Sequence, residues 1–344
     1  MVFKIGLQII VMCLMFIFHS CGFAQNKYLF NDEVFIEKKF AYTELDSVSY
    51  LINSTKYDIS KPSVIFFKGS LPVPLIIKWD DGELGMVPFT YFNFSKFLDN
   101  FNLILVSKPF IPVCVEASSL VNSCYVPDTT QPKKLDSNYM RTDNLNYLGK
   151  RGDSLVNWLL KSGEINANRI ITIGHSQGGS EAVRVAKLNK NVTDVVMLGA
   201  SPYGRAQQVI SNYYLKYIRG EIDFKTYLNF QNLMSKSIQE EYIGSNSVSF
   251  ENPRSFYEYS FTDMLGTSAN ILYAAGTNDI ASFYAGQVLI DSKCHGKNNV
   301  EVKLYEDRDH SFFKVDSSGV INREIDSWQE VFDDVSKWFN QKKD

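Results

Sequence analysis

The chain has 344 residues, 45% of them apolar, which is enough to bury a substantial core and argues against a disordered protein. Its formal net charge is −3 and it has no basic stripe, so a nucleic-acid partner is not expected. No cluster of histidines and cysteines has the spacing of a metal site.

The first two dozen residues have the pattern of a secretory signal. Lys4 precedes an apolar run over residues 5–18 that is too short to span a bilayer comfortably, and Gly22 and Ala24 have cleavage spacing. We expect cleavage after Ala24, which changes the formal charge from −3 to −4 and leaves a secreted or periplasmic chain without a membrane span. The alternatives are a lipoprotein anchored through Cys21 and a retained N-terminal anchor.

Three cysteines remain in the mature chain, namely Cys114, Cys124 and Cys294. An exported protein meets an oxidising compartment, and the first two flank a short loop, so a disulfide between Cys114 and Cys124 is expected. The alternative is three unlinked thiols.

Short β-branched or apolar runs recur along the chain and predict strands at 34–40, 63–67, 103–107, 169–173, 194–198, 270–274 and 300–305. Helical spacing lies between several of them. One apolar helix face consists of Leu148, Leu155, Val156 and Leu159, and another of Ile325, Trp328, Val331, Phe332, Val335, Trp338 and Phe339. This alternation predicts an α/β fold, with a mostly parallel central sheet flanked by helices on both faces. Ligands of such sheets bind beyond the carboxyl ends of the strands.

No repeat or linker divides the chain, so residues 25–344 are predicted to form a single domain. Two long stretches do not fit the alternation. Residues 108–146 form a polar connection, and residues 203–262 contain thirteen aromatic residues with patchy helical character. Connections of this length are uncommon unless they act as lids or binding loops, so we predict a helical lid insert at about 203–262. Ordinary core packing of a helical subdomain is the alternative.

The segment RIITIGHSQGGSEA, residues 169–182, passes from a strand pattern to a helix pattern through a corner between glycines. A strand ending at Ile173 and a helix starting near Gln177 leave Ser176 at the apex of the corner. The glycines allow strand and helix to approach closely. The helix also directs unpaired N–H groups and the positive end of its dipole toward the serine.

This corner resembles the nucleophile elbow of the α/β-hydrolase superfamily, with the matching residues Gly174, His175, Ser176, Gln177 and Gly178. The resemblance extends over about residues 60–340 in element order. It implies an α/β-hydrolase fold in which Ser176 attacks the carbonyl of an ester, thioester or amide. No metal and no organic cofactor are implied.

A nucleophilic serine needs a base, and the mature chain offers three histidines. His175 is next to the nucleophile, and we expect its side chain on the opposite side of the turn. His295 precedes the strand at 300–305 and therefore lies at its amino end. His310 follows the same strand, in the loop DRDHSFF, and is therefore predicted to be the general base.

The imidazole in turn needs an acceptor that fixes its tautomer and stabilises its charged form. Asp279 follows the strand at 270–274, and the order Ser176, Asp279, His310 is the order that the superfamily uses. Capping of a helix is the alternative role of Asp279. Two other carboxylates, Asp307 and Asp309, are expected to be solvated loop charges. Asp263 is a weaker spatial rival of Asp279 for the role of acceptor.

The resemblance also implies an oxyanion hole built from backbone N–H groups. Where the superfamily often has a histidine and a glycine, this chain has Lys68 and Gly69, so the glycine is kept and the histidine is not. We assign the two donors to Ser70 and Gln177, with Leu71 as the substitute for Ser70. Gly69 alternatively serves only the turn.

Together these residues predict a secreted serine hydrolase that cleaves small carboxylic esters. The segment NWLLKSGEINANRIITIGHSQGG also resembles prolyl-oligopeptidase-like enzymes, which makes a peptidase of short peptides the second hypothesis. About 35 mature residues precede the strand at 63–67, so we do not expect the propeller of those peptidases. An acyltransferase and a non-catalytic binding protein on the same fold are the third and fourth hypotheses.

Overall fold

The computed structural model describes residues 26–30, 32–89, 92–128, 130, 135–239 and 259–342. The predicted signal over residues 1–24, with Cys21, lies outside these ranges, so its cleavage or lipidation stays a prediction. Within the described ranges, no helix combines the length and the apolar character that crossing a membrane requires.

The strands of the described residues are β1 (Lys27–Phe30), β2 (Glu33–Ala41), β3 (Ser47–Asn53), β4 (Ser63–Phe67), β5 (Ile76–Lys78), β6 (Leu84–Met86), β7 (Asn102–Val106), β8 (Cys114–Glu116), β9 (Leu120–Val121), β10 (Cys124–Tyr125), β11 (Ile170–His175), β12 (Val192–Leu198), β13 (Asn270–Gly276), β14 (Val300–Tyr305), β15 (Phe313–Val315) and β16 (Ile321–Asp326). The helices are α1 (Phe94–Leu98), α2 (Ser137–Thr142), α3 (Leu145–Lys161), α4 (Gln177–Leu188), α5 (Arg205–Ile218), α6 (Phe224–Gln239), α7 (Phe261–Gly266), α8 (Ala285–Cys294) and α9 (Trp328–Gln341). Short 3₁₀ turns lie at Ala117–Ser119 and Ile280–Tyr284.

A sheet of nine described strands forms the centre of the molecule, in the spatial order β1-β2-β3-β7-β4-β11-β12-β13-β14. In this order, the strands β7, β4, β11, β12, β13 and β14 run parallel to one another. The strands β1, β2 and β3 add an antiparallel edge. Every residue of β4 and of β7 is buried, as expected for strands covered on both faces. The predicted mostly parallel sheet is confirmed, and each predicted strand is present to within two residues at either end.

Helices cover both faces of this sheet, as predicted. On one face, α1 and α9 pack through an aromatic cluster in which Phe89 lies between Phe66 of β4 and Phe332 of α9, with ring centroids 4.9 and 5.2 Å away. On the other face, α3, α4, α7 and α8 pack through aliphatic side chains such as Leu155, Val183, Met264 and Val288. Full burial of each such side chain contributes about 1.5–3 kcal/mol to folding.

The C-terminal helix begins later than its apolar pattern predicts. From Trp328 onward the predicted apolar face is buried, but Ile325 belongs to β16, where its side chain is exposed. The prediction for Ile325 was wrong because β15 and β16 form an antiparallel hairpin directly before the helix. Helical spacing alone does not reveal where a preceding strand ends.

The polar connection at 108–146 contains β8, β9, β10, a 3₁₀ turn and α2. Cys114 lies in the small sheet of β5, β6 and β8, whereas Cys124 lies in the separate hairpin of β9 and β10. Both are free thiols, as is Cys294, so the expected disulfide is not formed in the structure. The prediction of a disulfide was wrong because it used only the short separation of the two cysteines in sequence, whereas the fold places them in different small sheets.

The aromatic segment at 203–262 contains the helix pair α5 and α6 and then α7, with residues 240–258 outside the described ranges. Some of its aromatic residues pack between the two helices of the pair, since the rings of Tyr213 and Phe230 are stacked with centroids 3.5 Å apart. The helical character is confirmed for the described part. Its function as a lid stays a prediction.

The loops that follow β4, β11, β13 and β14 leave the sheet at the same edge, because these strands are parallel. They contain, in chain order, Ser70, Ser176, Asp279 and His310. The topology therefore brings the predicted site residues to the carboxyl edge of the sheet.

Candidate active site

Ser176 occupies the corner between β11 and α4. Its φ is +56° and its ψ is −123°, a conformation that a residue with a side chain rarely adopts and that costs about 1–3 kcal/mol. The Ser176 N–H donates a hydrogen bond to the carbonyl oxygen of Leu198, at the end of β12, over 2.7 Å. The strained serine is therefore held by the neighbouring strand.

Three glycines of the corner are required by contacts with backbone or with a fixed Cβ. A Cβ on Gly174 would lie 1.8 Å from the carbonyl oxygen of Gly178, and a Cβ on Gly178 would lie 2.2 Å from that of Phe67. A Cβ on Gly179 would lie 2.6 Å from the Cβ of Ala200. Real Cβ atoms do not approach so closely, so helix α4 can start directly behind Ser176 only with glycine at these positions.

His310 and Asp279 are joined by a hydrogen bond. The Nδ1–H of His310 donates to Oδ2 of Asp279 over 2.8 Å, and the other carboxylate oxygen of Asp279 accepts from the N–H of Ala281 over 3.2 Å. Asp279 therefore caps the 3₁₀ turn and also holds the imidazole. Gly199, with φ +59°, makes room for this pair, because a Cβ there would lie 3.0 Å from Asp279 Oδ2.

The surroundings shift the pKa of His310 in opposing directions. Burial lowers the pKa of the imidazole, while the hydrogen bond to Asp279 and the charge of that carboxylate raise it, and the net pKa lies above the ordinary value. The His310 side chain is nevertheless 39% exposed, so solvent has access to the ring. A protonated imidazole is thus stabilised at this position.

All the predicted site residues line one cavity of about 290 Å³. They are Ser70, Ser176, Gln177, Asp279 and His310. A second cavity of about 430 Å³ shares Ser70, Ser176 and His310 with the first and extends in an apolar direction past Leu71 and Val73. Ser176 therefore lies where two cavities of different character meet. Gly69 also lines the second cavity, and a Cβ on it would make only an ordinary van der Waals contact with that of Ser176, at 3.4 Å.

No protein-family model and no curated protein matches the chain. Among solved structures, acetyl xylan esterase 1 from Thermoanaerobacterium sp. is similar over 92% of this chain and 86% of its own, at 13% identity and a TM-score of 0.51. The acylaminoacyl peptidase of Pyrococcus horikoshii is similar over 95% of this chain at 14% identity and a TM-score of 0.50. This chain covers 43% of that peptidase. The chain has the α/β-hydrolase fold.

Within this α/β-hydrolase fold, the side chain of His175 lies beside His310. Its ring centroid lies 4.9 Å from that of His310, and its Nε2–H donates to the carbonyl oxygen of His310 over 2.8 Å. Its ring also packs edge-on against Trp328 at 5.3 Å. Burial, reinforced by the charge of His310, lowers the pKa of His175 to about 4, so this ring is neutral at neutral pH. The expectation that its side chain lies on the opposite side of the turn from Ser176 stays a prediction.

The rival carboxylates have structural roles. Asp309 is buried, and its Oδ1 accepts the N–H groups of Ser311 over 2.9 Å and Phe313 over 2.8 Å, so the expectation of a solvated charge was wrong for it. Asp307 is exposed as expected. Asp263 is buried and forms ion pairs with α4 residues Arg184 and Lys187 at 2.6 and 2.8 Å. Asp279 is the carboxylate that holds His310.

The two residues assigned to the oxyanion hole are tied to helix α2, which the sequence pattern did not reveal. The Tyr139 hydroxyl donates to the carbonyl oxygen of Ser70 over 2.7 Å, and Nε2 of Gln177 donates to Oδ1 of Asp143 over 3.1 Å. On the other side, the buried Lys108 ammonium donates to Oε1 of Gln177 over 3.0 Å. Side chains of α2, of the residue that follows it and of the loop after β7 therefore hold both sides of the proposed oxyanion hole.

Lys68, which stands where the superfamily often has a histidine, is also buried. Its ammonium donates to the carbonyl oxygen of Pro74 over 2.8 Å and to that of Val73. Burial, with the nearby charge of Lys108, lowers its pKa well below the ordinary value. Lys68 therefore links the start of the loop that contains Gly69 and Ser70 to the end of that loop.

Within the described residues, no group of three or more His, Cys, Asp or Glu side chains has an arrangement that could hold a metal ion.

Proposed function

We propose that the protein is a serine hydrolase that cleaves carboxylic esters, with Ser176 as nucleophile, His310 as general base and Asp279 as the residue that orients the imidazole. One observation carries this proposal: the strained serine and the hydrogen-bonded pair of His310 and Asp279 line one cavity at the carboxyl edge of the sheet. The similarity to an esterase and to a peptidase of the same fold supports hydrolysis of an acyl bond.

In the proposed reaction, Ser176 Oγ attacks the ester carbonyl carbon while His310 Nε2 takes its proton. The negative charge on the tetrahedral oxygen is stabilised by the backbone N–H groups of Ser70 and Gln177 and by the N-terminus of α4. His310 returns the proton to the leaving alcohol. Water then attacks the acyl-enzyme with His310 again as base, which releases the acid and regenerates Ser176.

Asp279 accepts the Nδ1–H of His310 throughout, which leaves Nε2 as the basic nitrogen available for the proton of Ser176. The imidazolium that forms during attack is stabilised by the adjacent carboxylate, in keeping with the raised pKa of His310. His175 and Asp309 support the loop around His310 by hydrogen bonds to its backbone.

The experiment that tests the proposal is labelling of the purified protein with a fluorophosphonate, followed by peptide mass spectrometry. We expect the label on Ser176 and its loss in Ser176→Ala, together with a fall in ester turnover by a factor of about 10⁴–10⁶. Ser180→Ala, which removes a hydroxyl of the same cavity, is the control and should still be labelled. A wild-type protein without a label on Ser176 would favour the non-catalytic binding protein.

A peptidase is the second candidate function, because the acylaminoacyl peptidase shares the fold over 95% of this chain. Short p-nitrophenyl esters and aminoacyl arylamides separate the two activities. The ester proposal expects kcat/KM for the arylamides to be far below that for the esters. Arylamide turnover comparable to ester turnover would make the protein a peptidase, while transfer of the acyl group to added alcohols in preference to water would make it an acyltransferase.

We propose further that the protein is exported and cleaved after Ala24. Intact-mass measurement of the exported protein tests this, since a chain starting at Gln25 and a lipidated chain starting at Cys21 differ in mass. A chain that retains Met1 would rule out both forms of processing.

A further inference from the structure

The two cavities that meet at Ser176 differ in chemistry. The polar cavity, of about 290 Å³, is lined beyond the proposed catalytic residues by Ser180, Ser201, Arg205, Gln208 and Ile280, of which only the last is apolar. The apolar cavity, of about 430 Å³, is lined beyond Ser176 and its neighbours mostly by apolar side chains, namely Phe66, Leu71, Val73, Val87 and Pro88. Lys68 also lines it, but its ammonium is bonded to the carbonyl oxygens of Val73 and Pro74. A substrate whose scissile carbonyl lies at Ser176 therefore has a polar part on one side and an apolar part on the other.

Arg205 is the cation of the polar cavity. It is the first residue of α5, and its side chain is exposed. Among the residues that the structure describes, no carboxylate or carbonyl accepts a hydrogen bond from its guanidinium, and no ion pair engages it. A cation of this kind at the wall of a cavity is available to a ligand.

The charge of Arg205 acts on the carboxylate of Asp143, but the two side chains form no ion pair. Asp143 accepts the side-chain N–H of Gln177, and its pKa is raised by burial, with the charges of Lys108 and Arg205 opposing that rise. Arg205 thus acts on Asp143 through space. Asp279, a carboxylate on the wall of the polar cavity, is already bonded to His310 and Ala281.

A guanidinium binds a carboxylate with two parallel charge-assisted hydrogen bonds, whereas a purely apolar group at this place would remove water from Arg205 without replacing it. The hydroxyl and amide groups of Ser201 and Gln208 supply further donors on the same wall. We propose that the substrate is an ester with a carboxylate on the side that faces Arg205 and an apolar group on the other side. This inference rests on the proposed ester hydrolysis and names its substrate class.

The test compares two pairs of esters, each with an anionic and a neutral member. In the first pair, p-nitrophenyl hydrogen adipate and p-nitrophenyl hexanoate, the carboxylate is on the acyl group. In the second, 4-carboxyphenyl acetate and phenyl acetate, it is on the leaving group. The quantity measured is the ratio of kcat/KM for the anionic ester to that for the neutral ester, in wild type and in variants.

Arg205→Gln should lower this ratio about ten- to a hundredfold in one of the pairs, as expected for the loss of hydrogen bonds between charged groups. The pair that responds shows whether the polar cavity holds the acyl group or the alcohol. Arg205→Lys keeps the charge without the planar fork and should give an intermediate ratio. Lys216→Gln removes one positive charge from the same helix, away from the polar cavity, and should leave the ratio unchanged.

The inference is overturned if Arg205→Gln changes the ratio by less than about twofold in both pairs. It is also overturned if Lys216→Gln lowers the ratio equally, because the positive charge of helix α5 in general would then explain the effect. Failure of the proposed function looks different: none of the four esters is cleaved and Ser176 is not labelled. In that case the ester class falls with the proposed function, and calorimetric titration with adipate tests the carboxylate site at Arg205 alone, which predicts binding to wild type that is lost in Arg205→Gln. Equal binding to both proteins, or binding to neither, would then contradict it.

Discussion

Two groups of side chains support Ser176 from opposite sides, and they do so in different ways. The base side consists of Asp279, His310, His175 and Asp309. The oxyanion side consists of Ser70, Gln177, Tyr139, Asp143 and Lys108. On the base side, the Asp279 carboxylate bonds directly to the imidazole that would move the proton. On the oxyanion side, the outer side chains hold only residues whose backbone N–H groups would contact the substrate.

The difference predicts how strongly each side responds to substitution. A change at Asp279 acts on the reacting group itself, whereas a change at Tyr139 acts through the backbone of the loop that contains Ser70. Gly178 lies on the oxyanion side, at the start of α4, where its backbone packs against the carbonyl groups of Phe67 and Lys68. The expected effects therefore decrease from Asp279 through Gly178 to Tyr139, with protonation of His310 last.

The largest effect is expected for Asp279→Asn. The amide can still accept the N–H of Ala281, but it offers an N–H to Nδ1 of His310, which favours the wrong tautomer and removes the stabilising charge. We expect kcat for a p-nitrophenyl ester to fall about 10⁴-fold at neutral pH. The control is Asp307→Asn, an exposed residue of the His310 loop, which should keep kcat near wild type. A variant at Asp279 that retained a tenth or more of wild-type kcat would reduce this carboxylate to a cap of the 3₁₀ turn.

The second prediction concerns Gly178, where α4 starts against the end of β4. In Gly178→Ala, the new Cβ would lie 2.2 Å from the carbonyl oxygen of Phe67 and 2.6 Å from that of Lys68, and neither backbone atom can move freely. We expect a loss of about 1–3 kcal/mol or more in the free energy of unfolding, measured with urea, and reduced labelling of Ser176. Gly286→Ala in α8 is the matched control, because its Cβ meets nothing within 4 Å, and it should be neutral or stabilising by about 0.4–1 kcal/mol. Equal stability of the two variants would show that the corner can relax.

The third prediction tests the oxyanion side. Tyr139→Phe removes the hydrogen bond to the Ser70 carbonyl, whose peptide plane includes the N–H of Leu71, the substitute donor. Because the hydroxyl acts through that backbone, we expect kcat to fall only about three- to tenfold with KM nearly unchanged, as for loss of about 1 kcal/mol. Tyr147→Phe loses a hydrogen bond of 2.8 Å to Asp46 outside the cavity and should alter stability without altering kcat. An equal fall of kcat in both variants would assign the effect to general destabilisation.

The same contrast explains how far the sequence could predict the site. The glycines of the corner are required by steric contacts over a few residues, and the strand patterns bring Asp279 and His310 to the edge where Ser176 lies, so these positions could be inferred from a single chain. Their catalytic roles stay predictions.

The side chains that hold Ser70 and Gln177 were missed because they are distant from these residues in sequence. Tyr139 and Ser70 are 69 residues apart, as are Lys108 and Gln177, and a polar connection gives no periodic signal for such pairs. The hydrogen bond from His175 to the His310 backbone was missed for the same reason, since these two residues are 135 apart in sequence.

Near neutral pH, the smallest effect is expected from partial protonation of His310, and it has opposite signs for activity and stability. Activity requires the neutral imidazole, so kcat/KM should rise with pH and reach its plateau above the raised pKa of His310. Stability runs the other way. Since the pKa in the folded state lies above the ordinary value, the ion pair with Asp279 contributes fully below the unfolded pKa, and the contribution is lost as pH rises through the folded pKa. His310→Gln isolates this contribution when its urea unfolding is compared with wild type at several pH values. His175 adds no inflection near neutral pH, because its pKa of about 4 keeps it uncharged there. A stability difference between wild type and His310→Gln that grew with rising pH would show that the imidazole is held in its neutral form and that its bond to Asp279 does not favour the charged one.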